Sequence, residues 1–275
     1  MTVRTPFLVV FAAQRTGSNY LCDLLSAREG VTSVNEVFNK NSLGLSDEVR
    51  KRRLTGVSSW DEYARLAFAD RLKALSFIDD LEDTRLVVVK IQPQQVSLQR
   101  SLEDFVATAS GHIFLRRNPL SVWVSRAQAL QTGSWSNTPT ERIGVTFDGD
   151  DFARYALRSL TKLNRIEKTC RRSGAPTTTI TYSQLLDFSN PETLWNDLYG
   201  RFPALDHEPI RATFVPSFSK QDHRPPVARL SNVDEALLWL EKRGLSHLID
   251  NRDDFDANAI VTALRDSRAR FQAAD

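Results

Sequence analysis

The chain has 275 residues, 41% of them apolar and 25% charged, a composition that supports a sizeable globular core and excludes a disordered, collagenous or disulfide-stapled protein. Lysine and arginine total 36 against 34 for aspartate and glutamate, so the net charge of +2 is too small for bulk attraction to nucleic acid or a membrane surface. Any anion site has to be local. The two cysteines, Cys22 and Cys170, have neither C-x-x-C nor histidine spacing, which excludes a zinc knuckle, suits a reducing compartment and gives a cytoplasmic expectation.

In chain order, residues 7–13 form an apolar run of strand length. It is too short to span a bilayer and runs directly into Gln14 and Arg15, so it reads as a buried strand rather than a secretory segment. Residues 19–27 follow with helical spacing, placing Tyr20, Leu21, Leu24 and Leu25 on one face. A polar stretch at about 39–59 is expected to be a long loop. Residues 86–91 and 112–115 are two further buried strands, the second leading into a helix that begins near Pro119. A second long loop is expected at about 133–151, with Pro139 and the acidic group Asp148, Asp150 and Asp151. Residues 152–172 read as a long helix ended by Gly174 and Pro176, and the β-branched run 177–181 as a fourth strand. From about residue 203 the prolines thicken, and helical patterns at 233–242 and 256–271 form a C-terminal appendage. Without repeats or low-complexity tracts, 1–275 is read as one domain. Strands lacking strict alternation, interleaved with helices, predict an α/β fold with a central, mainly parallel sheet covered by helices on both faces. The polar residues that follow the strands should then converge at one edge of the sheet.

Two of those segments carry chemistry. Gln14-Arg15-Thr16-Gly17-Ser18-Asn19 joins the first strand to the first helix, where unsatisfied backbone N–H groups favour an anion. Gly17 permits close approach of the main chain, and Arg15 adds a fixed cationic fork. The Walker A pattern G-x-x-x-x-G-K-[ST] is missing its first glycine and its lysine, which disfavours ATP hydrolysis. A plain strand-to-helix turn capped by serine is the competing reading. Arg116-Arg117-Asn118-Pro119 follows the third strand, with Ser125 about two helical turns further on, so Arg117 and Ser125 can share one phosphate. Two arginines at a strand end are otherwise ordinary surface charges.

With these residues in view, the chain resembles bacterial carbohydrate sulfotransferases that use 3′-phosphoadenosine 5′-phosphosulfate (PAPS), the group that includes trehalose 2-sulfotransferase and the nodulation-factor sulfotransferases. Residues 14–21, QRTGSNYL, resemble their 5′-phosphosulfate loop, and RNPLSVWVS at 117–125 their 3′-phosphate motif. Further matches run in order to about residue 240: Asn35-Glu36-Val37-Phe38, Lys90-Ile91, Gln128 with Gln131 to Trp135, Thr181-Tyr182-Ser183-Gln184-Leu185-Leu186, and Lys220-Gln221 with Arg224-Pro225 and Asn232. The glycine-rich C-terminal cofactor motif of the cytosolic animal enzymes is absent, so Lys220, Gln221 and Arg224 would take its place. The resemblance implies a P-loop-like sulfotransferase fold, PAPS as donor and a carbohydrate or glycolipid as acceptor. It further implies donor binding by Arg15, Thr16, Gly17, Ser18, Asn19, Arg117, Ser125, Tyr182, Lys220, Gln221 and Arg224. Glu36 would act as catalytic base, assisted by Arg15 and by Lys90 at the transferring group, with Glu36, Phe38, Gln128, Gln131 and Trp135 facing the acceptor.

The plain alternatives are an exposed loop carboxylate for Glu36, a snorkelling charge for Lys90 and a packing role for Trp135. No metal is expected. His112, His207, His223 and His247 lack ligand spacing, and the acidic group Asp250, Asp253, Asp254 and Asp256 lacks the glycine and final glutamate of a calcium loop and reads as a solvated lead-in to the last helix. Nucleic-acid partners and transmembrane segments are not expected, and monomer and homodimer stand as alternatives. Two other functions compete: a nucleotide or nucleoside kinase, and a non-catalytic relative that binds a nucleotide or glycan.

Overall fold

The structure is a computed structural model that describes residues 5–34, 36, 38, 62, 65, 84–96, 100–135, 142–188, 190–202, 224–250 and 252–272. The expected loop at 39–59, the start of the C-terminal appendage, Lys220 and Gln221 lie outside the described residues.

Five strands form one all-parallel sheet: β1 (Phe7–Ala12), β2 (Val31–Val34), β3 (Leu86–Ile91), β4 (Gly111–Arg116) and β5 (Thr177–Thr181), in the spatial order β2-β3-β1-β4-β5. The register pairs Phe11 with Ile91 on one side and Ala12 with Leu115 on the other, so the ends of β1, β3 and β4 lie together. Both faces are buried, as the continuous apolar runs require. Phe7, Val9 and Phe11 point to one layer with α2 (Arg100–Thr108) and α4 (Gly149–Arg172), through Phe105, Leu163 and Ile166. Leu8, Val10 and Ala12 point to the other, with α1 (Ser18–Ser26), α5 (Tyr182–Asp187) and α6 (Pro191–Arg201). A third cluster joins α3 (Pro119–Thr132) and α4 to α7 (Val233–Glu241) and α8 (Ala257–Gln272) through Trp123, Phe152, Leu240 and Ile260.

Two local features differ from the sequence expectation. The edge strand β2 was absent from it: four residues with only Val31 and Val34 buried give too short a pattern to show a period. The helix expected from residue 152 begins at Gly149, because the Asp148 carboxylate accepts the Asp150 and Asp151 N–H groups, each at 2.9 Å. Asp148 is therefore a helix cap, and Asp150 and Asp151 lie in the first turn, where negative charge favours the helix dipole.

His112 on β4 is fully buried; its Nε2 donates to the Val106 carbonyl at 3.0 Å, and Nδ1 lies 3.1 Å from Thr177 Oγ1. Burial lowers its pKa to about 4, against a smaller opposing effect of the Val106 bond. Because the folded pKa lies below the unfolded value of about 6.5, the unfolded chain takes up the proton first, and stability is lost as pH falls from about 6.5 towards 4. Thermal melts across that window should show this decline, and His112→Asn should reduce its slope.

Candidate active site

The turn after β1 is shaped by left-handed backbone at Arg15 (φ 64°) and Gly17 (φ 87°). Thr16 is buried, and its hydroxyl donates back to the Ala13 carbonyl at 2.8 Å, closing the turn. Gly17 then caps α1 with no side-chain hydrogen bond, which leaves the first-turn N–H groups of Ser18 and Asn19 for an incoming acceptor. The serine cap considered from sequence is not formed: Ser18 is the first helical residue. Gly17 is also required sterically. A Cβ there would stand 2.7 Å from Tyr182 Cε2, so the ring of Tyr182 lies directly against the main chain.

The arginines of the two loops meet. Arg117 Nη1 donates to the Arg15 carbonyl at 2.9 Å, and Arg15 Nε donates to Ser125 Oγ on α3 at 3.1 Å. A further bond runs from Arg15 Nη1 to the Trp135 carbonyl. The Arg117 guanidinium lies 4.0 Å above the centre of the Tyr182 ring, so that ring touches both Arg117 and Gly17 and joins the segments after β1, β5 and β4. Burial and then the neighbouring Arg117 charge lower the Arg15 pKa from its ordinary value; burial lowers that of Arg117. Two guanidinium groups held close in a partly desolvated place are a site prepared for negative charge.

A second group lies on the β3 side. Lys90, 3% exposed, reaches Glu36 Oε1 at 3.0 Å and also donates to Asn19 Oδ1. Gln92 Nε2 donates to Glu36 Oε1 at 2.6 Å and Gln95 Nε2 to Oε2 at 3.3 Å. Gln92 and Gln95 are themselves fixed by a 3₁₀ turn, Pro93–Gln95, in which the Gln92 N–H donates to Gln95 Oε1 at 2.9 Å. Glu36 also has left-handed backbone (φ 47°). Asn19 connects the two groups, because it belongs to the first turn of α1 and accepts from Lys90.

The other predicted residues are placed as follows. Phe38 is buried edge-on against Phe105, ring centres 5.6 Å apart. Gln128 is 1% exposed and donates to the Ile143 carbonyl at 2.9 Å, tying α3 to the segment before α4. Gln131 and Trp135 are exposed at the end of α3 and just beyond it, where the Trp135 carbonyl meets Arg15. Arg224 bonds locally, to the Ala228 carbonyl at 3.5 Å.

Three residues escaped the sequence reading. Gln92 and Gln95 directly follow β3, and the expectation that polar residues after strands converge contains the signal for them. Asp253 had been read as part of a solvated lead-in; it is 6% exposed and accepts the Asn118 N–H at 2.6 Å and the Ser183 N–H at 2.8 Å. Asp250, Asp254 and Asp256 are exposed, and Asp256 caps α8 through the N–H groups of Asn258 and Ala259.

No family model and no curated protein matches the chain. Among solved structures the chain is similar to a sulfotransferase from Alicyclobacillus acidocaldarius, at 15% identity and a TM-score of 0.47, covering 90% of this chain and 97% of that one. It is also similar to the sulfotransferase domain from the curacin biosynthetic pathway, at 15% identity and a TM-score of 0.41, covering 97% and 98%.

Gly17→Ala is expected to cost about 1–2 kcal/mol from the left-handed backbone alone, and more from displacing the Tyr182 ring. Urea denaturation measures the loss, and the penalty should shrink when Tyr182 is alanine as well.

Proposed function

We propose that the chain is a PAPS-dependent sulfotransferase that moves a sulfuryl group to a hydroxyl of a carbohydrate or glycolipid and releases 3′,5′-ADP. The observation that carries this reading is the meeting of Arg15 with Arg117 and with Ser125 on α3, about a hundred residues further along the chain, beside the uncapped first turn of α1. It adds to the motif resemblance a place where two anionic groups of one nucleotide can be held.

The residues present fit such a donor. Gly17 takes the left-handed backbone that turns the chain into α1, and the Ser18 and Asn19 N–H groups that follow have no side-chain cap and can meet an anion. Arg15 and those N–H groups would hold the 5′-phosphosulfate. Arg117 and Ser125 would hold the 3′-phosphate and so distinguish this nucleotide from ATP. The bound donor supplies an electrophilic sulfur: the acceptor oxygen bonds to it as the bond from sulfur to the bridging phosphate oxygen breaks, the electron pair staying on the phosphate.

Glu36 would receive the proton of the acceptor hydroxyl. Gln92 and Gln95 fix both of its oxygens, so its direction is set before the acceptor arrives. Lys90, bonded to Glu36 and Asn19, would offset negative charge on the transferring oxygens. Trp135, exposed with its carbonyl on Arg15, would offer a face to a sugar ring, and Gln131, exposed in the last turn of α3, would bond the sugar's hydroxyls.

Two measurements test this. 3′,5′-ADP should raise the melting temperature more than ATP with magnesium; the reverse order would favour a kinase. Incubation with radiolabelled PAPS and a cell extract should yield a labelled glycan or glycolipid identifiable by mass spectrometry. Arg15→Ala and Glu36→Gln should each reduce transfer by at least about a hundredfold. Near-normal rates in both, with Arg117→Ala inactive, would remove the assignment of the reacting residues and keep that of the nucleotide.

A further inference from the structure

Asp253 lies outside both groups of residues described above, in the segment between the 3₁₀ turn Ser246–Leu248 and α8. Its two carboxylate oxygens are spent on different segments: Oδ1 accepts the N–H of Asn118, before α3, and Oδ2 accepts the N–H of Ser183, in the first turn of α5. Asn118 directly follows Arg117, and Ser183 directly follows Tyr182. One buried carboxylate thus holds the main chain next to each partner of the Arg117–Tyr182 stack. The attachment is reciprocal, because Asn118 Nδ2 donates back to the Leu248 carbonyl at 2.9 Å and the Arg252 carbonyl at 3.2 Å. Asn118 Oδ1 meanwhile caps α3 through Leu120 and Ser121.

The position calls for an acid. Both partners are donors, and an ionised carboxylate accepts at both oxygens, whereas an amide presents one acceptor and one NH2. The negative charge also offsets the Arg117 charge beside it. We propose that Asp253 is a positioning residue that fixes the separation of Arg117 and Tyr182, and through it the preference for a nucleotide carrying a 3′-phosphate. This inference rests on the proposed function, since it takes Arg117 as the 3′-phosphate residue. A purely structural tie for the C-terminal segment would lower stability and weaken all ligands alike; a positioning role alters their ratio.

The test compares equilibrium binding of 3′,5′-ADP and of adenosine 5′-phosphate, by calorimetry, in wild type, Asp253→Asn and Asp256→Ala. The last removes the α8 cap from the same segment without touching the stack. In Asp253→Asn the preference for 3′,5′-ADP over adenosine 5′-phosphate should fall by about tenfold or more, the scale of losing a buried charge-assisted hydrogen bond. KM for the donor should rise while kcat stays within about twofold, as for loss of binding common to ground and transition states. Asp256→Ala should lose stability and keep the ratio. Should Asp253→Asn fail to fold, Asp253→Glu keeps both acceptor oxygens one methylene further out, and the same loss of preference is expected from it. An unchanged ratio in the folded Asp253 variant, or an equal change in Asp256→Ala, overturns the inference alone. A wild type indifferent to the 3′-phosphate overturns the proposed function and this inference together.

Discussion

The site is organised around two positive charges that repel each other in a partly desolvated turn. Arg15 and Arg117 are joined by a hydrogen bond from one guanidinium to the other residue's carbonyl, and both have pKa values lowered by burial. Burial is the larger cause at both, and at Arg15 the Arg117 charge adds to it. Much of the surrounding structure resists their separation. Adjacent parallel strands bring the two turns together, Ser125 accepts from Arg15, the Tyr182 ring lies under Arg117, and Gly17 leaves room for that ring. Each contact is modest in water. Together they hold the two guanidinium groups in one place.

The parts of this arrangement that depend on local sequence were readable in the chain. The long apolar runs of β1 and β3 gave their boundaries to within a residue, and β4 was longer by one residue at each end than the run that predicted it. Once the sheet is parallel, Arg15 and Arg117 must stand at the same edge, so their proximity follows from strand order and not from any special feature of either loop. Glu36 and Lys90 are marked in the sequence by the resemblance alone; their ion pair follows from β2 lying beside β3.

What the sequence did not reveal depends on tertiary contacts. Asp253 is one of four acids within seven positions, and no periodicity separates it from its exposed neighbours. Its burial comes from two N–H groups that are 135 and 70 positions away. Asp148 hid in the same manner: an acidic residue after a turn is equally compatible with a loop and with a helix cap, and the difference lies in the extended backbone at Asp148 that lets its carboxylate reach the Asp150 and Asp151 N–H groups. The short edge strand β2 owes its existence to the partner β3, since two buried valines are too few to specify a strand alone.

Backbone strain marks the same residues independently. Among the described residues, Arg15 and Glu36 have positive φ without being glycine. Each such residue costs on the order of 1 kcal/mol, and the cost persists only where the surroundings enforce it. At Arg15 they do so through Ser125, Trp135 and Arg117; at Glu36, through Lys90, Gln92 and Gln95. Glycine would relieve the strain at either position while discarding the side chain. At both positions a charged side chain is thus held in a fixed direction by its partners. Under the proposed reaction, Arg15 holds the group that leaves and Glu36 receives the proton of the group that attacks. Asn19, in the first turn of α1 between them and bonded to Lys90, keeps the two halves in one frame.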